Sequence, residues 1–343
     1  MNKKPGILLD HRLFRHVIDQ PSPENPERLR RLYQHIDSVA YRRRFNRIDA
    51  KSADIEAVEA IHSRFYLDQI HEHAQSSDPY SYDRDTYVMP ETLDCAFLAA
   101  GGCLQMAEAI MSGVIDRGFA LVRPPGHHAE PGRGMGFCVL NNVAIIAAWL
   151  KKVYGLNRIL VFDFDVHHGN GNQEAFYDTN EVLVFSIHQK DVFPFTGSMP
   201  ELGEGKGLGY TVNVPVFPQY GDIEYTYLTG QILQALVEQY MPQFILVSAG
   251  FDGHADDPMS KTRLTTAWFA SATRLIRRLA FETCDKRLLM VLEGGYNPVS
   301  LEASVLAVLD SLAEPNPRGV GILPSERAAK LISGHPAKQF WTF

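Results

Sequence analysis

Very little in this chain could hold it together except a packed core. Its four cysteines, Cys95, Cys103, Cys138 and Cys284, show no CxxC spacing. That excludes a zinc ribbon and provides no disulfide framework, so most are expected to be small core residues. Basic charge is scarce as well. The 33 Lys and Arg are outnumbered by 40 Asp and Glu, for a formal net charge of -7, which argues against a generic nucleic-acid surface because phosphate binding needs clustered cations. The opening MNKKPGILLDHRLF has no sustained apolar stretch leading to a small-residue cleavage site, and no later run is expected to be long enough to span a bilayer. The expectation is a soluble cytoplasmic protein. With neither an internal repeat nor a low-complexity linker, one domain over residues 1–343 is the simplest organisation.

What the chain does have is apolar content, 45% of its residues, arranged in alternating short and long patterns. Strand-like runs are expected at Gly6 to Leu9, Phe119 to Val122, Arg158 to Phe164, Val182 to Ile187, Tyr210 to Val214, Phe244 to Ser248 and Leu288 to Leu292. Helical patterns lie between and around them at Glu27 to His35, Asp54 to Ala60, Tyr66 to His73, Glu91 to Met111, Asn141 to Tyr154, Asp222 to Tyr240, Thr265 to Cys284 and Pro298 to Leu312. Gly113 and Gly155 stand where helix stops are expected. This alternation predicts an α/β fold with a mainly parallel central sheet flanked by helices. The polar stretch Ser76 to Pro90 reads as a surface loop, and the tail beyond Ala313, with Pro315, Pro317, Gly319 and Pro336, as a surface wrap.

Unusual polar residues gather directly after the strands. RPPGHH follows ALV, DFDVHHGNG follows ILVF, SAGFDGHADDP follows FILV, and LEGGYN follows LLMV. Ligands of open α/β sheets sit beyond the carboxyl ends of the strands, so these four clusters can share one pocket. The stretch Ile159 to Gly171 is the centre of the pattern. In an extended chain, residues two apart face the same way, which lets Asp163, Asp165 and His167 converge while Phe164 and Val166 pack on the other side. Burying those groups calls for a counter-ion.

Asp165 and His167, with a third carboxylate from Asp256 or Asp257, would make a three-ligand zinc site with one position open. Such a site suits metal-assisted hydrolysis. The His127-His128 pair could serve as general base and acid, and two glycines could turn the chain to aim the Tyr296 hydroxyl at an oxyanion. Asp163 is expected to orient a histidine or to hold a second cation. Cys138, ten residues after His128, admits a nucleophile reading that is weighed against buried packing.

Together PENPERL, IHSRFYLDQI, DTYVMPET, RPPGHHAE, GMGFC, FDFDVHHGNG, SIH, GYTVNVP, SAGFDGHADDP and EGGYN resemble the zinc-dependent histone deacetylase and acetylpolyamine amidohydrolase superfamily, with its arginase-like fold. HGNG, SAGFD and EGGYN are closer to class II and bacterial members than to class I. The resemblance implies zinc ligands Asp165, His167 and Asp257, a general base and acid at His128, and an electrostatic partner at His127 oriented by Asp163. It places Asn170 where class I members carry an aspartate, and assigns carbonyl polarisation to Tyr296. Gly136, Phe137 and Phe193 would line the acyl-amine channel, although QKDVFPFTGSMPE is shorter than the usual class II loop. Leu264 is expected at the rim, where it would offer a cationic polyamine no attraction. Potassium would bind through Asp163, Asp165, His167, Ser186 and Ile187 at one site, and through Phe176, Thr179, Val182 and Tyr210 at another.

The implied activity is zinc-dependent removal of acyl groups from N-ε-acyl-lysine or a related acylated amine. Acetylpolyamine deacetylation, an arginase-like two-manganese hydrolase and a non-catalytic acyl-lysine binding module are the alternatives. The expected partner is the acylated substrate, with neither nucleic acid nor membrane; a homo-oligomer is left open.

Overall fold

The computed structural model of the protein describes residues 3–17, 21–76, 78–315, 319 and 321–343; Ser77 of the expected loop and Pro317 of the expected tail lie outside them. The strands are β1 (Gly6–Leu8), β2 (Asn46–Arg47), β3 (Tyr80–Ser81), β4 (Tyr87–Val88), β5 (Arg117–Ala120), β6 (Ile159–Asp163), β7 (Val182–Gln189), β8 (Thr211–Val216), β9 (Phe244–Ala249) and β10 (Leu288–Leu292). Eight of them form one sheet in the order β2-β1-β5-β10-β9-β6-β7-β8, and the pairings along it are parallel. The other two, β3 and β4, make an antiparallel hairpin inside the stretch expected to be a loop.

Both faces of the sheet are buried, which accounts for strands that are apolar throughout rather than alternating with polar residues. Leu160, Phe162 and Phe164 enter one apolar cluster together with Leu183, Phe185, Met290 and residues of the helices Thr266–Thr283 and Pro298–Ala313. Ile159, Val161, Val182, Leu289 and Val291 point into a second cluster with the helices Pro90–Met111 and Asn142–Tyr154. The Pro90–Met111 helix corrects one expectation, because by length and composition it is apolar enough to cross a membrane. Its 72% buried apolar window packs against the sheet and the neighbouring helix, which gives that apolar content a use inside the fold.

Two further differences have local causes. The expected Asp222 to Tyr240 helix widens to a π turn at Thr229–Leu233, with the Thr229 hydroxyl donating to the Tyr225 carbonyl at 2.6 Å. The tail carries a helix at Glu326–Ser333 and anchors through Trp341, whose indole N–H donates to the Gly209 carbonyl at 2.6 Å.

The strand order also fixes where a ligand can sit. Neighbouring strands β6 and β9 send their chains in opposite directions, from β6 to β7 on one side and from β9 to β10 on the other. Loops that diverge in this way open a crevice beyond the carboxyl ends of the strands.

Candidate active site

The end of β6 turns its carboxylates inward. Asp163 Oδ1 accepts the Asp165 N–H at 3.1 Å and Asp165 Oδ1 accepts the His167 N–H at 2.9 Å. From across the crevice, Asp252, just beyond β9, accepts the Val166 N–H at 3.0 Å on Oδ1 and meets His167 Nδ1 at 2.9 Å with Oδ2. His167 Nδ1 is also 3.1 Å from Asp165 Oδ1. Donor atoms of Asp165, His167 and Asp252 lie within 4.8 Å of one another, all buried.

Glycines allow this crowding. A Cβ on Gly250 would stand 1.9 Å from Asp165 Oδ2, one on Gly169 2.1 Å from Asp163 Oδ2, and one on Gly294 2.3 Å from Asp252 Oδ2. No side chain fits at these distances.

The third expected ligand is placed differently. Asp257 is not part of that tight group; its Oδ2 accepts the N–H groups of Tyr296 and Asn297 at 2.7 and 3.1 Å, and its Oδ1 that of Met259 at 3.0 Å. It joins the β9 loop to the β10 loop. Asp256 has a side chain 73% exposed and faces away from the cluster, which removes it as a ligand candidate. Asp252 was missed in the sequence, although it ends the SAGFD run that drew attention to this loop.

Two carboxylates and an imidazole are donors that Zn²⁺ accepts, and this donor set is charged so as to need a cation. Burial on its own would depress His167, yet Asp252 and Asp165 outweigh it and push the imidazole up to about 10. The two carboxylates thus favour positive charge at the place a divalent cation would take.

The tandem histidines face this cluster from the β5 loop, their ring centroids 3.9 Å apart. His127 Nδ1 lies 3.1 Å from Asp163 Oδ2, and its Nε2 lies 3.8 Å from Asp165 Oδ2. Burial disfavours its charge, but the two aspartates prevail and raise it to about 10. His128 is displaced the opposite way, well below its ordinary value, by burial first and then by the charges of His127 and His167. Its Nδ1 is 2.8 Å from Asn170 Oδ1.

Glu293, also unforeseen, holds the loop carrying the pair: its Oε2 accepts the Gly126 and His127 N–H groups at 2.7 and 3.1 Å. Burial, only partly opposed by His127, pushes its carboxyl up to about 7. Beneath Tyr296 lies a buried ionic cluster. Arg28 donates to the carbonyls of Gly295 and Glu293, both at 2.7 Å, and to Glu24 Oε1 at 3.0 Å. Glu24 also takes two hydrogen bonds from Arg123, at 2.9 and 2.8 Å. Sequence alone gave no sign of this cluster, because Arg28 and Gly295 are 267 residues apart.

Tyr296 stands over the Arg28 guanidinium, 4.7 Å from ring centroid to Cζ, and 5.5 Å from the Phe137 ring. Burial holds its hydroxyl well above the usual phenol range, so it remains a proton donor. Phe193 lies 5.0 Å from the His128 ring and 6.4 Å from that of His167. A Cβ on Gly136 would come within 2.6 Å of both His128 and Phe193. Phe137 and Phe193 are thus on the tyrosine and histidine sides respectively.

Leu264 requires a correction: it is fully buried in the core, facing Gly253, because its backbone pairs with the His254 segment. Cys138 is buried too, and burial pushes its thiol well above the usual range. That disfavours a thiolate nucleophile. Of the residues assigned to potassium, Ser186 is in register with Asp163 on the adjoining strand, and its hydroxyl meets His188 Nδ1 at 2.9 Å. Phe176, Thr179, Val182 and Tyr210 lie around the β7 and β8 starts, where the Tyr210 carbonyl accepts the Val184 N–H at 2.9 Å.

Residues 22–312 match the family described as the histone deacetylase domain. The chain is 39% identical over 297 residues to a probable deacetylase of Archaeoglobus fulgidus, spanning 85% of this chain and 81% of that protein. It is 38% identical over 330 residues to the polyamine deacetylase HDAC10 of Homo sapiens, spanning 92% of this chain but 49% of that longer relative. The crystal structure of the HDA15 HD domain superimposes with a TM-score of 0.90 at 32% identity, covering 99% of this chain and 95% of that one.

Proposed function

The chain belongs to the histone deacetylase domain family, and from that premise we propose that it is a zinc-dependent amidohydrolase that removes acyl groups from N-ε-acyl-lysine or a related acylated amine. One observation carries this reading: two histidine rings with centroids 3.9 Å apart, one bonded to an aspartate and the other to an amide, face a buried Asp-His-Asp donor cluster. Paired groups in such different surroundings divide charge stabilisation from base chemistry.

Zn²⁺ held by Asp165 and His167, with Asp252 or Asp257 as the third ligand, would polarise an amide carbonyl and make water a better acid. Neutral His128, with Nδ1 facing Asn170, has Nε2 free to take the proton of an attacking water. It then returns that proton to the departing amine. His127, tied to Asp163, keeps positive charge beside the developing oxyanion, and the Tyr296 hydroxyl donates to that oxygen. Phe137 and Phe193 offer apolar walls to a methylene stem while excluding water from the carbonyl. Potassium at the two sites carried over from the resemblance belongs to the same proposal, and elemental analysis of the purified protein reads both ions.

A second reading, acetylpolyamine deacetylation, is favoured by the likeness to a protein named a polyamine deacetylase. The burial of Leu264 removes it as a rim residue and with it one argument against that substrate. Turnover of an acetyl-lysine peptide, longer acyl-lysine peptides and acetylpolyamines by metal-defined protein, with and without a hydroxamate chelator, tests both. Hydroxamate-sensitive release of amine is expected, and its rates rank the substrates. Absence of turnover on every substrate with stoichiometric Zn²⁺ bound would overturn the hydrolase reading in favour of a binding module.

A further inference from the structure

The residue touching the outer nitrogen of His128 is a neutral amide, and an amide has a direction: its oxygen accepts and its nitrogen donates. Asn170 presents Oδ1 to His128 Nδ1 at 2.8 Å. Its Nδ2 faces acceptors only, namely Glu130 Oε1 at 2.7 Å, the His128 carbonyl at 3.3 Å and Met135 Sδ at 3.2 Å. Glu130 is the strongest of the three. Its other oxygen lies 3.3 Å from the Arg133 guanidinium, and the neighbouring Glu174 carboxyl, raised by burial and then by Glu130, is the member of that pair that favours the proton.

We propose that Glu130 is a positioning residue that fixes the amide direction of Asn170 and, through it, the tautomer of His128. With Oδ1 turned to the imidazole, the proton of neutral His128 resides on Nδ1 and the lone pair on Nε2, the form a general base needs. This inference rests on the reading of His128 as that base. It also gives a reason for an amide at position 170. An aspartate in contact with the ring would fix the same tautomer but would favour imidazolium, whereas the amide transmits the direction and keeps the charge one residue away.

The placement of Glu130 is itself constrained. Its N–H donates to the Arg133 carbonyl at 2.9 Å and its carbonyl accepts the Arg133 N–H at 3.3 Å. The carbonyl also meets His62 Nδ1 at 3.1 Å, while His62 Nε2 accepts the Asn141 N–H at 2.9 Å. These contacts tie the segment to the start of the Asn142–Tyr154 helix.

The test compares zinc-loaded wild type with Glu130→Gln, Asn170→Asp and the double variant. Glutamine has almost the shape of glutamate but can turn either its oxygen or its amide nitrogen towards Asn170, so the chain of hydrogen bonds loses its single direction. For Glu130→Gln, kcat is expected to fall about tenfold with KM within about twofold, and the ¹⁵N resonances of His128 to move towards a mixture of tautomers. In the double variant the introduced aspartate accepts from His128 whichever way the glutamine faces. The Nδ1–H signature should return, and kcat should match that of Asn170→Asp alone. If Glu130→Gln does not fold, Glu130→Met removes the same acceptor and is read in the same way.

A merely structural role would lower thermal stability without rescue by Asn170→Asp. Unchanged His128 tautomer signals in Glu130→Gln, or a double variant showing no recovery, would overturn the proposal. Because the nitrogen signals do not depend on turnover, a protein inactive on every substrate would refute the hydrolase reading while the tautomer assignment is still decided.

Discussion

Glu24→Gln is the substitution whose cost can be worked most directly from the structure. Glu24 is buried, and its carboxylate is shared by Arg28, at 3.0 Å, and Arg123, at 2.8 Å. Burial raises its pKa, but Arg123 and then Arg28 overcome that and hold it at about 2, against an ordinary value of 4.5. The displacement corresponds to about 3 kcal/mol of stability. The folded value is the lower one, so on acidification the unfolded chain binds the proton first. The contribution is complete above about pH 4.5 and is lost as pH falls through about 2.

Replacing the charge with an amide of the same shape leaves two buried guanidinium groups without their counter-charge, a loss of about 3–5 kcal/mol. For a chain of this size that is about 4–7 °C in Tm. Thermal unfolding of wild type and Glu24→Gln at pH 7, repeated at intervals down to pH 3, is the assay. The two curves should draw together, without meeting, below about pH 4.5, as acid protonates Glu24 in the unfolded wild-type chain first. Catalysis should suffer as well, because Arg28 holds the Glu293 and Gly295 carbonyls that lead into Tyr296. A Tm within about 1 °C of wild type at pH 7 would refute the assignment of this cluster as a stabilising one.

Tyr296→Phe should lower kcat by about 10²–10³ with little change in Tm, since the ring contacts and the backbone bond to Asp257 remain; full activity on the same substrate would contradict the hydroxyl's role. In Gly136→Ala the new methyl would come within 2.6 Å of His128 and Phe193 at a backbone φ of 55°. A fall of about a hundredfold in kcat/KM is expected, and wild-type kinetics would show that the loop can shift at no cost. Asp252→Asn should weaken zinc by about 10–100-fold in a chelator competition, whether Asp252 ligates the ion or orients His167, and unchanged affinity would exclude both roles.

The strands were readable because burial on both faces leaves uninterrupted apolar runs; Leu288–Leu292 has the expected bounds. Where a strand buries a charge, the reading slipped. β5 begins at Arg117 rather than Phe119, and the Arg117 side chain is accommodated by donating to the Leu312 carbonyl at 2.7 Å. The two-residue β2 and the β3-β4 hairpin are too short to leave a period in the sequence. At the site, Asp163, Asp165 and His167 stood out through their alternation. Asp252, Glu293, Glu24 and Arg28 did not, because their importance comes from partners far away in the chain. Asp256 and Asp257, adjacent in sequence, were told apart there only by the family resemblance; in the fold one faces solvent and the other accepts three N–H groups.

The order of strands has a further consequence for a chain made from its N-terminus. β2, β1 and β5 make one flank of the sheet and β6, β7 and β8 the other, while the strands that join them, β9 and β10, come last. During translation the β6 edge is unpaired until β9 is complete at Ala249 and the β5 edge until β10 is complete at Leu292, and such edges invite pairing with other chains. The tandem histidines follow β5 and the Asp165-His167 pair follows β6. The reactive centre is therefore divided between two nascent halves, and the last strands synthesised are the ones that join them.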